Sequence, residues 1–161
     1  MTKLNETDIV AKVRKFVADE LIPLEQGFLL NGFLSVSETL EEKRQLAKKE
    51  GLWTPYLPKS DGGLGLSLTQ FAVVSEELGR TPLGHYALNC QAPDIGNIEL
   101  ISLHGTGDQK HAFLKPLIKG EIRSCFAMTE PENPGSNPVL LDTSAHRDGK
   151  DYVITGHKWF T

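Results

Sequence analysis

The stretch with the most capacity for chemistry runs from Cys125 to Pro138, CFAMTEPENPGSNP. Phe126, Ala127 and Met128 read as the end of a strand. Thr129, Glu130, Asn133, Gly135, Ser136 and Asn137 then follow, small and polar, and interspersed with prolines. A strand end opening into such a loop can aim several backbone N–H groups into one concavity, a cradle for an anionic or carbonyl-rich ligand. The hydroxyls of Thr129 and Ser136 can both donate and accept there. An ordinary connection has the same composition, so the residues alone leave both readings open.

Other candidates are weaker. GGLGLS, Gly62 to Ser67, invites comparison with dinucleotide-binding loops. It lacks the third glycine, and Pro55 and Pro58 precede it where a clean parallel strand is needed, so it reads as a turn into the next helix. His104 and His111 flank a turn without Cys or carboxylate partners at ligand spacing, and read as exposed or cap-like histidines. Glu76 and Glu77 read as a solvated helix face. No serine lies in a Gly-x-Ser-x-Gly turn.

The elements that must position the loop are mostly helical. Ile9, Val10, Val13, Phe16, Val17 and Leu21 recur at helical spacing, with Pro23 closing the segment. A largely charged helix is predicted near Ser37 to Glu50, capped by Gly51. Ser67 with Gln70, and Thr106 with Gln109, form capping boxes. The first opens a helix with Phe71, Val74 and Leu78 on one face, ending near Gly79. Leu83 to His104 reads as an apolar helical region restarted at Pro93, which suits a first turn. Phe113, Leu114 and Leu117 are the predicted buried face of a short helix ending at Gly120. The total is five or six helices, antiparallel by their short connections.

After Gly120 the texture changes. IRSCFAMTE is strand-like, and TSAHRDGKDYVITGHKWF reads as a hairpin with Asp148 and Gly149 at a tight turn. The expected fold is mainly α: an antiparallel helical domain over residues 1–120, then the first strands of a β-barrel-like domain over 121–161, truncated. No internal repeat or low-complexity tract interrupts it.

Composition sets outer limits. The chain has 161 residues, 39% apolar and 24% charged, with a net charge of −4. These are values of an ordinary globular protein. The negative balance and the lack of a basic stripe argue against nucleic acid, and no segment has the apolar length of a membrane span. MTKLNETDIV has neither the apolar run of a signal peptide nor the arginines of a transit peptide. Cys90 and Cys125 are too few for a disulfide framework. A reduced, cytoplasmic setting is the expectation, or a mitochondrial or peroxisomal one if the source is eukaryotic.

Several of these stretches together resemble the acyl-CoA dehydrogenase family. CFAMTEPENPGSNP looks like its flavin-binding segment, a MTEP or VTEP run followed by Gly-Ser. DGKDYVITGHKWF resembles the hairpin after it, and LPKSDGGLGLSLTQFAVVSEELGR the family's loop and third helix. NCQAPDIGNIELISLHGTGDQKHAFLKPLIKGEIRSCFAMTEP is similar to the subgroup of family members ten and eleven.

The resemblance implies a helical domain, a central β domain and a C-terminal four-helix bundle, assembled as homodimers or homotetramers. It implies FAD as cofactor, acyl-CoA as substrate and an electron-transfer flavoprotein or similar acceptor. A carboxylate removes the α-proton while the β-hydrogen leaves as hydride to flavin N5, giving a trans-2-enoyl-CoA. That base belongs to the C-terminal domain, so no catalytic residue is expected in this chain.

By the same resemblance Phe126, Met128 and Thr129 border the flavin ring, with backbone groups and the Thr129 hydroxyl on its pyrimidine edge. Gly135 and Ser136 form the loop near the pyrophosphate, Ser136 also near acyl-CoA. Glu130 fixes the loop. Asn137 departs from the aspartate that often follows Gly-Ser. Aligning Gly156 and Lys158 puts Phe160 at the flavin-facing aromatic, with the N5 donor beyond Thr161; a shifted register makes Thr161 that donor. An acyl-CoA oxidase-type sister enzyme, or a non-catalytic helical interaction module of the same fold, remains an alternative.

Overall fold

The computed structural model describes residues 6–134 and 137–161. The chain divides into two compact units, one reaching to Arg123 and one running from Ser124 to Thr161.

The first unit is helical. Helix α1 (Glu6–Phe16) passes into a π-helical turn (Val17–Leu21), and Ile9, Val13, Phe16, Val17 and Leu21 are buried along this stretch. Pro23 does not end the segment as expected. It sits in the first turn of a 3-10 helix (Ile22–Leu24), where a missing N–H costs nothing, and the chain continues into α2 (Glu25–Asn31). Helix α3 (Ser37–Lys49) closes in the predicted way: Gly51 N–H donates to Lys48 C=O (3.1 Å) and Leu52 N–H to Ala47 C=O (2.9 Å).

The capping box of α4 (Leu68–Leu78) forms, with Gln70 N–H 3.3 Å from Ser67 Oγ and Ser67 N–H 2.9 Å from Gln70 Oε1. Glu77 on this helix is not solvated. It is 8% exposed and accepts from Arg14 Nε at 2.9 Å and Arg80 Nη1 at 3.3 Å, because its turn faces α1. A short α5 (Gly84–Ala87) follows. Side chains from α1, the π turn, α3, α4 and α5 share one core, including Leu21, Leu40, Leu78 and Ala87.

Helix α6 (Asp94–His104) starts one residue after Pro93, which is its cap. Helix α7 (Gly107–Gln109) carries the second capping box and leads through a π-helical turn (Lys110–Leu114) into α8 (Lys115–Lys119). Ile98, Leu114 and Leu117 pack with Leu57 in a second cluster. Phe113, expected inside, is 54% exposed. The wider π turn carries it off the stripe that a regular α-helix would bury.

Arg44 shares the buried face of α3 with Leu40 and Ala47, at 1% exposure. Its guanidinium carbon lies 4.8 Å from the Trp53 ring centroid and 4.4 Å from that of Tyr86. It donates to the Tyr86 carbonyl, and at 3.4 Å to both the Gly120 carbonyl and Asn89 Oδ1. A Cβ on Gly120 would stand 2.4 Å from Arg44 Nη2 and 2.7 Å from Trp53 Cζ2.

In the second unit β1 (Ser144–Asp148) pairs antiparallel with β2 (Asp151–Thr155), Asp148 opposite Asp151. Gly149 takes φ +61° at the first loop position, as a type II′ turn requires. Both strands are exposed along their length. The predicted strand over 122–130 joins no ladder among the described residues. An extended run becomes a strand only when a neighbouring strand takes its N–H and C=O groups; here Met128 and Thr129 send their carbonyls elsewhere.

Candidate functional site

The second unit is organised around Glu130, 3% exposed. Its Oε2 accepts from Asp142 N–H (2.7 Å) and Asn133 Nδ2 (2.9 Å), and its Oε1 from Thr143 N–H (2.8 Å) and Lys158 Nζ (2.9 Å). The loop after Glu130 is thereby tied to the approach to β1 and to the segment after β2. Thr143 Oγ1 is buried beside the carboxylate, although it falls short of full hydrogen-bond geometry. That hydroxyl, the Asp142 N–H and the Lys158 ammonium hold Glu130 well below its ordinary 4.5, against its burial.

A second set of bonds runs alongside. Lys158 Nζ donates to the Met128 carbonyl at 2.8 Å, and Trp159 N–H to the Thr129 carbonyl at 3.1 Å. These two bonds fasten the MTE segment to the KWF segment. Phe160 follows at φ +50°, an uncommon conformation for a bulky residue, and is 86% exposed. Its ring lies 4.8 Å from that of Trp159, tilted by 50°. Phe126 is 57% exposed.

Of the residues singled out in the sequence, Met128 and Thr129 are brought against Lys158 and Trp159, next to Phe160 along the chain. Phe126 lies two residues before Met128, and Thr161 is exposed at the end of the segment that carries Lys158 and Trp159. Gly135 and Ser136 lie outside the described residues, so the anion cradle expected there does too. A crevice of about 410 Å³ beside the loop is lined by Glu130, Glu132 and Asp142 with Asn133, Thr143, Ser144, Thr155, Gly156 and His157. His157 Nδ1 lies 2.8 Å from Glu132 Oε1. Among the described residues no cluster of His, Cys, Asp and Glu could hold a metal, and no helix is long and apolar enough to cross a membrane.

The two fastened segments carry the kinds of group that a flat aromatic ligand with hydrogen-bonding edges would use. Phe126, Trp159 and Phe160 present exposed ring surface, and the Thr129 N–H has no acceptor among the described residues. Sequence reasoning used Lys158 only to set register and missed it as a holding residue. Its partners lie 28 and 30 residues away, beyond any local pattern.

Known proteins share both units. The family described as acyl-CoA dehydrogenase, N-terminal domain, matches residues 4–121. Acyl-CoA dehydrogenase family member 11 of Gallus gallus is 36% identical over 163 residues, covering 96% of this chain and 20% of that protein. The probable acyl-CoA dehydrogenase FadE2 of Mycobacterium tuberculosis is 42% identical over 123 residues, covering 76% of this chain and 30% of that protein. The chain thus spans about a fifth of the length of its family member 11 relatives.

Among solved structures, a provisionally assigned acyl-CoA dehydrogenase from Mycobacterium abscessus matches with a TM-score of 0.86 at 34% identity, covering 96% of this chain and 41% of that one. An acyl-CoA dehydrogenase from Bacillus anthracis, complexed with FAD, matches with a TM-score of 0.69 at 27% identity, over 95% of this chain and 25% of that one. The chain belongs to the acyl-CoA dehydrogenase family.

Proposed function

We propose that this chain is part of a flavin-dependent acyl-CoA dehydrogenase. Phe126, Met128, Thr129 and Phe160 would border FAD, and Gly135 and Ser136, outside the described residues, are assigned by the family resemblance to its pyrophosphate and, for Ser136, the acyl-CoA. The observation that supports this is the fastening of Met128 and Thr129 to Lys158 and Trp159, which joins a segment whose Thr129 N–H is unbonded among the described residues to the segment that carries Trp159 and Phe160. Bound FAD would supply the two-electron oxidation of an acyl-CoA to a trans-2-enoyl-CoA.

The chain's own residues then bind and orient. Thr129 donates to the ring edge, and Trp159 and Phe160 cover it from water. Glu130 is not the base that takes the α-proton. It is ionised, already accepts from four donors, and is held well below a useful basicity. The base is assigned to the part of the relatives beyond the matched span. A homodimer or homotetramer, an electron-transfer flavoprotein as acceptor, a role in fatty-acid β-oxidation, a preference for long or bulky acyl chains and a cytoplasmic setting belong to the same proposal.

The test measures flavin absorption of the full-length protein and turnover of acyl-CoA thioesters of graded length with an artificial acceptor. Flavin-loaded, active full-length protein and an inactive 161-residue chain are expected. A flavin-free full-length protein, or turnover by the short chain, overturns the reading.

A further inference from the structure

We propose that Lys158 is a positioning residue that acts through the Met128–Thr129 peptide, turning the Thr129 N–H into a strengthened donor for the bound flavin. The inference rests on the flavin-binding reading above.

The geometry starts at the Met128 carbonyl, which accepts from Lys158 Nζ at 2.8 Å. The peptide that follows is trans, so its N–H points opposite to its C=O. The Thr129 N–H therefore faces away from Lys158. It finds no acceptor among the described residues, so an incoming ligand can take it. The next carbonyl, of Thr129, is held by Trp159 N–H at 3.1 Å. With the peptide pinned at both ends, the direction of the N–H is set before any ligand arrives.

Charge adds to direction. A cation on a carbonyl draws electron density from the peptide nitrogen, and bonds polarised in series strengthen one another by about 10–30% each. Glu130, 2.9 Å from Nζ, offsets part of that charge. Its carboxylate is shared with the Asp142 and Thr143 N–H groups and Asn133 Nδ2, and Lys158 meets only one of its oxygens. The lysine side chain is 22% exposed and that of Glu130 2% exposed, so little water screens the pair. A purely structural ion pair would need the Glu130 contact and no bond to the carbonyl of a ligand-lining segment.

A strengthened donor favours the electron-richer, reduced cofactor over the oxidised one. The experiment is the midpoint potential and FAD dissociation constant of the flavin-loaded full-length protein, with Lys158→Met, Lys158→Arg and Glu130→Gln. Lys158→Met is expected to cut the preference for reduced over oxidised flavin about tenfold, which is about 30 mV more negative for a two-electron couple. Lys158→Arg, which keeps charge and donors, restores it. Glu130→Gln loosens the loop without lowering the potential, since the bond to Met128 survives.

An unchanged potential in folded Lys158→Met, or an equal fall in Glu130→Gln, overturns the proposal. Should Lys158→Met fail to fold, Lys158→Gln, which can still donate to Glu130, must show the fall or the proposal is overturned. Wild-type protein that binds no flavin defeats the functional reading itself and this inference with it.

Discussion

Leu21, Leu40, Leu78 and Leu88 are fully buried in the helical unit, whereas Glu130 is the one buried side chain among the described residues from Ser124 onward. Tyr152, Ile154 and Phe160 in that second stretch are 67%, 72% and 86% exposed. The helical unit is shaped by removing apolar surface from water, which is non-directional and tolerates many sequences. Residues 124–161 are shaped by a few directional bonds around one ion. The lesson is positional: the ring-bearing, donor-bearing segments sit where bonds with fixed geometry set the backbone.

Substitutions can break that contrast. Leu40→Ala should destabilise this chain by about 3–5 kcal/mol, by lost burial and the cavity left behind. Ile154→Ala should change stability by less than about 0.5 kcal/mol, as exposed substitutions do. Thermal unfolding followed by circular dichroism reads both, and equal losses would erase the distinction.

Acid separates the units next. The folded-state pKa of Glu130 is depressed, so its contribution is complete above its ordinary 4.5 and is lost as pH falls below that value. Amide protection at Asp142 and Thr143, taken relative to the intrinsic exchange rate at each pH, should fall in that window while the helical core keeps its own. In Glu130→Gln that protection should be low on both sides of the window. A wild type whose protection does not change across it would remove the ion from the account. The smallest effect sharpens the picture of the helical unit: Ser67→Ala should cost about 1 kcal/mol through the loss of one helix cap, measurable by denaturant unfolding.

What the sequence made legible was local. The capping boxes of Ser67 and Thr106 and the cap at Gly51 need only residues three to five apart, and they form as read. Features set by distant partners were not legible. Pro23 looked like a stop because its tolerance in a 3-10 first turn depends on where that turn begins. Phe113 looked buried because a π turn leaves no mark in a hydrophobic pattern. The strand over 122–130 failed for want of a described partner, which strand propensity cannot supply. Glu130 was read as fixing the loop from resemblance, and it does, but Asp142, Thr143 and Lys158 as its holders required the fold.

Arg44 and Gly120, 76 residues apart, constrain each other's inheritance. Any side chain at 120 meets the guanidinium and the Trp53 ring. Any shorter residue at 44 strips donors from the Tyr86 and Gly120 carbonyls and leaves a hole between two rings. Neither position can drift alone without loss, so through descent the two should be retained together or replaced together. A variant carrying one change would be a rare and short-lived intermediate.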